Sequence, residues 1–336
     1  MGFVTYIIKR FLLLIPILLG VTFITYVISR VTVPNVARAW AGPRAGPQAL
    51  AALSARYHLN DPVYIQYFYY MKDLVTGDWG ISPTTGRPVL YDLKIFFPAT
   101  VELAIAAVII TIIIGIPTGI LAAIYHNKKI DHSIRFLYLA GFSSPPFLVG
   151  LVMLLLFAYI FKIFPTEGEL SSSLAPPLRI TGMFIVDSLL TGNWVDLRDS
   201  LWHIILPATA LALTYFGVVT RITRSSMLEV LQKDFIRASY AKGLSKRSVI
   251  YKHAVRNAMI PTTTVLGLLL GALLSGTIVI ETIFLWPGIG YYAVLSIESL
   301  NFPSVMGVTI LFTISVILAN LLADLLYAVI DPRITV

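Results

Sequence analysis

The chain has 336 residues, 57% of them hydrophobic and only 12% charged, with a formal net charge of +8 and no cysteine. Soluble domains carry charge on roughly a quarter of residues, so this composition, with a mean hydropathy of +0.83, excludes that class and marks an integral membrane protein. The lack of cysteine excludes disulfides, thiolate metal sites and cysteine nucleophiles.

Lys9 and Arg10 precede an apolar run over residues 11–28 that has no small-x-small cleavage site, which predicts a retained span with its start in the cytoplasm. Residues 34–97 turn to Pro, Gly, Tyr and mixed charge and are expected to form an extracellular insertion. Within them, residues 49–57 read as a short amphipathic helix bearing Leu50, Leu53 and Tyr57. Asp61 is the expected N-cap of a second helix with Pro62 at its first position. Tyr64, Tyr67, Phe68, Tyr69 and Tyr70 on that helix suit an interfacial aromatic belt, with a direct substrate contact as the sharper alternative.

Pro98 is expected to open a second span, in which Gly115 and Gly119 stand at GxxxG spacing around Pro117. His126, Lys128, Lys129, His132 and Arg135 make a basic inner loop, and a third span over 136–164 should bend at Ser143-Ser144-Pro145-Pro146. Residues 165–203 read as an outer loop with a short interfacial or re-entrant piece over 183–190. A fourth span starts near Pro207 and reaches Arg221 and Arg224 on the inner side. In the fifth span, residues 262–280, Gly267, Gly271 and Ser275-Gly276 form a small-residue ridge suited to helix packing, a pore-lining role being the alternative. An outer loop with a turn at Trp286-Pro287-Gly288 leads to the last span, 305–330, which leaves Asp331 and Arg333 inside. Six spans with both termini cytoplasmic place every basic loop on one side, and each has the ~20 residues that cross a ~30 Å hydrocarbon core. The positive charge is thereby explained by topology, and no nucleic-acid partner is expected.

Between the fourth and fifth spans lies the one long basic interruption, residues 231–261, with Lys233, Arg237, Lys242, Lys246, Arg247, Lys252 and Arg256 against Asp234. Helical spacing puts Phe235, Ala238 and Tyr240-Ala241 on one side. Gly243 should stop that helix, Ser245 should cap a second, and Val249, Ile250, His253, Ala254 and Asn257 continue it to Pro261.

The order Arg237-Ala238-Ser239-Tyr240-Ala241-Lys242-Gly243-Leu244-Ser245, continuing through Arg256-Asn257-Ala258 to Ile260-Pro261, resembles the cytoplasmic coupling loop of ABC importer permeases of the oligopeptide/dipeptide branch. Arg237-Ala238-Ser239 stands where the general form has Glu-Ala-Ala, and the closing proline falls later than in that form; both departures suit the peptide branch. Ile7-Ile8-Lys9-Arg10, Gly77-Asp78-Trp79-Gly80-Ile81-Ser82, residues 98–104, residues 281–290 and Asp331-Pro332-Arg333 are similar to the family in its expected order, so the resemblance covers nearly the whole chain. It implies an all-α, six-helix permease domain of the type I importer fold over residues 1–336. Phe235, Arg237, Ala238, Ser239, Lys242 and Gly243 would then couple it to ATPase subunits. The implied partners are a second homologous permease, two ABC ATPases holding ATP and Mg, an extracellular solute-binding protein and membrane lipid. The substrate class is di- or oligopeptide; oligosaccharide and nickel importers share the pattern.

No phosphate-binding Gly-x-x-x-x-Gly-Lys-Ser/Thr and no His-Glu-x-x-His is present, and no two of the five histidines form a ligand pair at helical spacing, so neither catalysis, a cofactor nor a metal is expected of this chain. Intramembrane charge calls for a functional hypothesis, and Glu102, Asn320 and Asp324 are the candidates for a translocation pathway. The competing account is a capping or interhelical hydrogen bond, with Arg221 or Arg224 as partner. An ATP-independent secondary transporter, the alternative class, would want acids paired at mid-membrane in broken helices.

Overall fold

The computed structural model describes residues 3–32, 36–41 and 45–330. Pro34 and the terminal Asp331-Pro332-Arg333 lie outside the described residues, as do the side chains of Lys9, Arg10, Ser275 and Asp324.

The described residues form helices and loops, with one isolated bridge between Ile81 and Pro88. The first half begins with α1 (Phe3–Thr32) and the short helices α2 (Val36–Ala41), α3 (Pro47–Arg56) and α4 (Val63–Val75). Then come α5 (Val89–Ile124), α6 (Lys129–Ser143), α7 (Pro146–Met153), α8 (Phe184–Thr191) and α9 (Trp194–Leu231). The second half holds α10 (Asp234–Ala241), α11 (Lys246–Ser248), α12 (Val255–Ile283), α13 (Ile289–Glu298) and α14 (Phe302–Ile330). By length and apolarity α5, α9 and residues Phe302–Leu321 of α14 can each cross a membrane, and two bent pairs of helices raise the number to five. Outward-facing Ile105, Ile109 and Ile113, at four-residue steps on α5 and between 45% and 64% exposed, are the sort of stripe that only lipid or another subunit can cover.

Small residues set the core. Ala99, Ala104 and Ala107 of α5 and Ala208, Ala210 and Ala212 of α9 are buried, so the two backbones run close together. The GxxxG pair continues that contact inward: a Cβ on Gly119 would stand 2.6 Å from Thr223 Cβ and 2.8 Å from the Thr220 carbonyl oxygen. Gly119→Ala therefore has to push α5 off α9, and a loss of about 1–3 kcal/mol is expected. Thermal unfolding of the purified protein measures it, and an unchanged midpoint would contradict this packing.

Two spans begin earlier than proline placement suggests. α5 starts at Val89 and carries Pro98 inside it, and α9 starts at Trp194, where Asn193 Oδ1 caps the N–H of Asp196, and carries Pro207 inside it. Pro98 has no N–H for the Lys94 carbonyl, four residues back. Arg179 supplies the missing donor from another segment: its Nη2 bonds the Lys94 and Ile95 oxygens at 3.1 and 2.7 Å. The expected proline bend does occur between α6 and α7, which meet at 107° across Ser144 and Pro145. α7 then runs on as a wider π-helical segment, Leu154–Ile160.

The helix expected after Asp61 starts at Val63, with Pro62 in the cap position, because the Asp61 carboxylate is engaged by His58 Nδ1 at 3.1 Å instead of capping. α4 lies against the outer half of α1. Tyr67 reaches Thr22 at 2.8 Å and the Leu19 carbonyl at 3.1 Å, which leaves Tyr64 and Phe68 pointing outward as a belt residue would. The stretch after α4 is stitched to the other half of the chain. Asn301 Nδ2 donates to Ser82 Oγ at 2.8 Å, and the fully buried Asp92 accepts from Thr85 and from Tyr292 at 2.6 and 3.1 Å.

Candidate functional site

The basic surface is built on the end of α9. After Leu231 the chain turns, and α10 lays Ile236 against a buried cluster of Met227, Val230, Val249, Ile250, Ala254 and Ala258, with Ser239, three residues on, buried as well. Ile120 and Ala123 at the end of α5 complete that cluster, so α10, packed on the segment Val249–Ala254, shares one apolar cluster with the ends of both central helices. Its other side is open: Phe235, Arg237, Ala238, Tyr240 and Lys242 are all exposed. Of the six coupling residues singled out from sequence, Phe235, Arg237, Ala238, Lys242 and Gly243 are exposed. Ser239 is turned in, and its hydroxyl donates to the Phe235 carbonyl at 2.7 Å.

Gly243 ends α10 in the left-handed region at φ +77°, with its N–H on the Tyr240 oxygen and the Leu244 N–H on the Ser239 oxygen. Ser245 Oγ then caps the N–H of Ser248 at 3.3 Å. The second helix opens into a π-helical segment, Val249–Ala254, before α12. The apolar positions read as one regular helix are therefore Val249, Ile250 and Ala254 inward, with His253 half-buried and Asn257 exposed.

A carboxylate that the sequence did not flag lies just above this surface. Asp131, fully buried at the start of α6, receives Arg224 of α9 through Nε at 2.7 Å and Nη2 at 2.8 Å. It also accepts from Arg135 at 3.2 Å and from the Asn127 N–H at 2.9 Å. Arg224 is thus spoken for by the inner loop and is not the partner of Glu102.

Glu102 does cap, but elsewhere: its carboxylate accepts the N–H groups of Phe184 and Ile185 at 3.2 and 2.8 Å, at the positive start of α8. A second carboxylate, Asp187, serves the loop before α8. Burial alone would raise it, but bonds from Thr181 Oγ1 and from the Thr181, Gly182 and Ile180 N–H groups prevail and hold it below the usual carboxylate range. Asn320 faces Gly271 of α12, where an added Cβ would come 3.1 Å from its Oδ1. Glu102 and Asn320 thus face different elements, the start of α8 and the side of α12.

Next to Glu102, two stretches that each resemble the family, residues 98–104 and 281–290, are brought together. Thr100 Oγ1 donates to the fully buried Glu281 at 2.8 Å and accepts the Ile289 N–H at 2.7 Å, while Glu281 also accepts the Tyr291 N–H at 3.0 Å. Trp286 Nε1 donates to the Ala99 carbonyl at 2.9 Å. At the expected turn Trp286-Pro287-Gly288 the indole thus bonds α5, while Glu281 of α12 and Thr100 of α5 tie α12 and α13 to the same helix. Gly288 is required there because a Cβ would fall 2.5 Å from Glu281 and from Thr100 Oγ1.

Glu169, in the loop before α8, is buried with Oε1 lacking a hydrogen-bond partner. Burial first, then the Glu102 and Glu281 carboxyls, push it well above the usual range, with Arg179 opposing. A carboxyl raised on folding loses stability as pH climbs from its unfolded value towards its folded one. Glu169→Gln should therefore raise the unfolding midpoint at pH 8 and leave it unchanged at pH 4. A lower midpoint at pH 8 would count against this assignment.

Residues 115–336 match the family described as binding-protein-dependent transport system inner membrane component, and residues 3–104 match the N-terminal part of such membrane components. The chain belongs to this permease family. It is 44% identical over 321 residues to the probable D,D-dipeptide transport system permease protein DdpB of Escherichia coli K12, covering 96% of this chain and 94% of that one. Similarity to the dipeptide transport system permease protein DppB of Alkalihalophilus pseudofirmus is 42% over 330 residues, 98% of each chain. To the oligopeptide transport system permease protein AppB of Bacillus subtilis it is 36% over 330 residues, again 98% of each. This permease is therefore a multi-pass inner-membrane transport component. The boundary between the two matched regions falls inside α5, whose outer part joins the turn at Trp286 and whose inner part joins the seat of α10.

Proposed function

We propose that this permease is a membrane-spanning subunit of an ATP-driven ABC importer that moves di- and oligopeptides into the cell by alternating access. It has six spans with both termini in the cytoplasm, residues 34–97 as an extracellular insertion and residues 231–261 as the cytoplasmic coupling loop. The outward face of α10 carries this reading. Phe235, Arg237, Ala238, Tyr240 and Lys242 are exposed on a helix whose inward Ile236 joins the cluster at the ends of α5 and α9. A short helix of that build fits a groove in a partner, here each of two ATPase subunits that hold ATP and Mg. Because the cluster that seats α10 also holds the ends of both central helices, a partner that prefers one position of α10 biases the spans between inward- and outward-open arrangements. A second homologous permease completes the translocation path, and an extracellular solute-binding protein delivers substrate.

The peptide substrate is supported by the names of the relatives, which are transport systems for dipeptides and oligopeptides. Uptake of labelled dipeptides by cells with and without this gene is the test. ATP-dependent accumulation that an unlabelled dipeptide abolishes and maltose or nickel leaves intact is expected. Accumulation surviving ATP depletion would contradict the proposal.

A further inference from the structure

At the outer end of α1, together with α2 to α4 and the start of α14, there is a partly open cavity of about 50 Å³ whose lining includes Tyr26, Arg30, Trp40, Tyr57, Tyr70 and Phe302. Three buried donors of its wall, Arg30 Nε, Arg30 Nη1 and Trp40 Nε1, have no hydrogen-bond partner among the described residues. The guanidinium is nevertheless fixed in place. Its Nη2 donates to Tyr26 Oη at 2.8 Å, and its carbon lies 4.6 Å from the Tyr26 ring centre and 5.1 Å from that of Trp40. A buried donor left without an acceptor is costly, more so when charged, and a rigid guanidinium fork matches the oxygens of phosphate or carboxylate. The chemistry called for is an anionic oxygen.

Size and depth narrow the source. About 15 Å³ of such space suffices for one water, so the cavity of about 50 Å³ admits a polar group the size of a few waters, such as a phosphate. The rest of the ligand must lie outside. Because α4 packs on α1 from Leu19 to Tyr26 and turns Tyr64 and Phe68 outward, the cavity sits at the level of the interfacial aromatics, where lipid headgroups lie. The other charges on the wall are Arg56, His58, Asp73 and Asp78. Asp78 stands 3.7 Å from Arg56 and accepts the Gly80 N–H, and His58 is bonded to Asp61. The Asp73 carboxylate has no such partner among the described residues and is exposed, which suits an ammonium group.

We propose that this cavity is a phospholipid headgroup site, in which a phosphate oxygen accepts from Arg30 and Trp40 and the ethanolamine ammonium meets Asp73. The protein, purified in its native complex, is placed in nanodiscs of equal phosphatidylethanolamine and phosphatidylglycerol, and the phospholipid that survives transfer to detergent is identified by native mass spectrometry. Retained phosphatidylethanolamine is expected to exceed phosphatidylglycerol by about tenfold, a difference of about 1.4 kcal/mol. Trp40→Phe keeps the ring and removes only the N–H, and with Arg30→Gln it should reduce retention by about tenfold or more. Should Arg30→Gln fail to fold, Trp40→Phe decides. Asp73→Asn should keep bound phospholipid and lose the preference for ethanolamine. Unchanged retention in Trp40→Phe, or equal retention of both lipids by the unaltered protein, would overturn the proposal. So would Arg30-dependent stabilisation by inorganic phosphate with no phospholipid retained, which would make the site one for a free anion.

Discussion

Replacing Gly243 with valine is expected to leave the permease inserted and assembled while reducing peptide uptake at least about tenfold, with ATP hydrolysis continuing. The effect arises from backbone strain alone. Gly243 has φ +77° and nothing within 4 Å of an added Cβ, so no clash contributes. A β-branched residue in the left-handed region is strained by about 1–3 kcal/mol. That strain is relieved by undoing the cap at the end of α10, where the Gly243 and Leu244 N–H groups meet the Tyr240 and Ser239 oxygens. The end of α10 then no longer holds its outward face at a fixed angle to α9. Gly243→Asn, which tolerates that conformation, should keep most of the uptake, and Gly243→Ala should fall between. Parallel assays of uptake and ATP hydrolysis in vesicles read the separation, and full uptake by Gly243→Val would refute the role of this turn.

The second large effect is on stability. Asp131→Asn leaves the guanidinium of Arg224, whose side chain is only 15% exposed, without its charge partner. Removing one member of a buried pair is worth about 3–5 kcal/mol of destabilisation. Replacing both residues by apolar ones of similar size should restore much of it, since the pair is far less valuable than its broken half is costly. Thermal unfolding of the single and double variants distinguishes the two accounts, and a double variant as unstable as the single would contradict the pairing. Arg224 lies about two helical turns before the end of α9. The same ion pair therefore ties the inner loop after α5 to the helix that carries α10, and uptake should fall along with stability.

What could be read from sequence was what depends on near neighbours in the chain. The stop at Gly243, the cap at Ser245 and the break at Pro145-Pro146 each rest on a dihedral preference or a missing donor within a few residues, and each is found in the fold. Pro98 misled for a long-range reason. A proline opens a helix when nothing else can satisfy the carbonyl it frees, and for Pro98 that donor is Arg179, 81 residues further along the chain. Glu102 was recognisable as a buried charge needing a partner, but the start of α8 as that partner was not, nor was the claim of Asp131 on Arg224. Glu281 and Trp286 were visible only as parts of a familiar run. Their bonds to Thr100 and Ala99 span 181 and 187 residues, and no local pattern announces them. On α10, spacing set Phe235, Ala238 and Tyr240 on a shared side, whereas the inward place of Ser239 follows from the seat that Val249, Ile250 and Ala254 provide.

The proposal that α10 docks on an ATPase can be tested directly because the chain contains no cysteine, so one introduced thiol is unique. Ala238→Cys, on the open face, and Ser239→Cys, on the buried face, are each treated with a short thiol-to-amine cross-linker in native membranes, and the products are identified by mass spectrometry. The account predicts that Ala238→Cys joins to a P-loop ATPase subunit, that ATP alters the yield, and that Ser239→Cys gives little product. No ATPase adduct at Ala238→Cys, in membranes that still take up peptide, would contradict it.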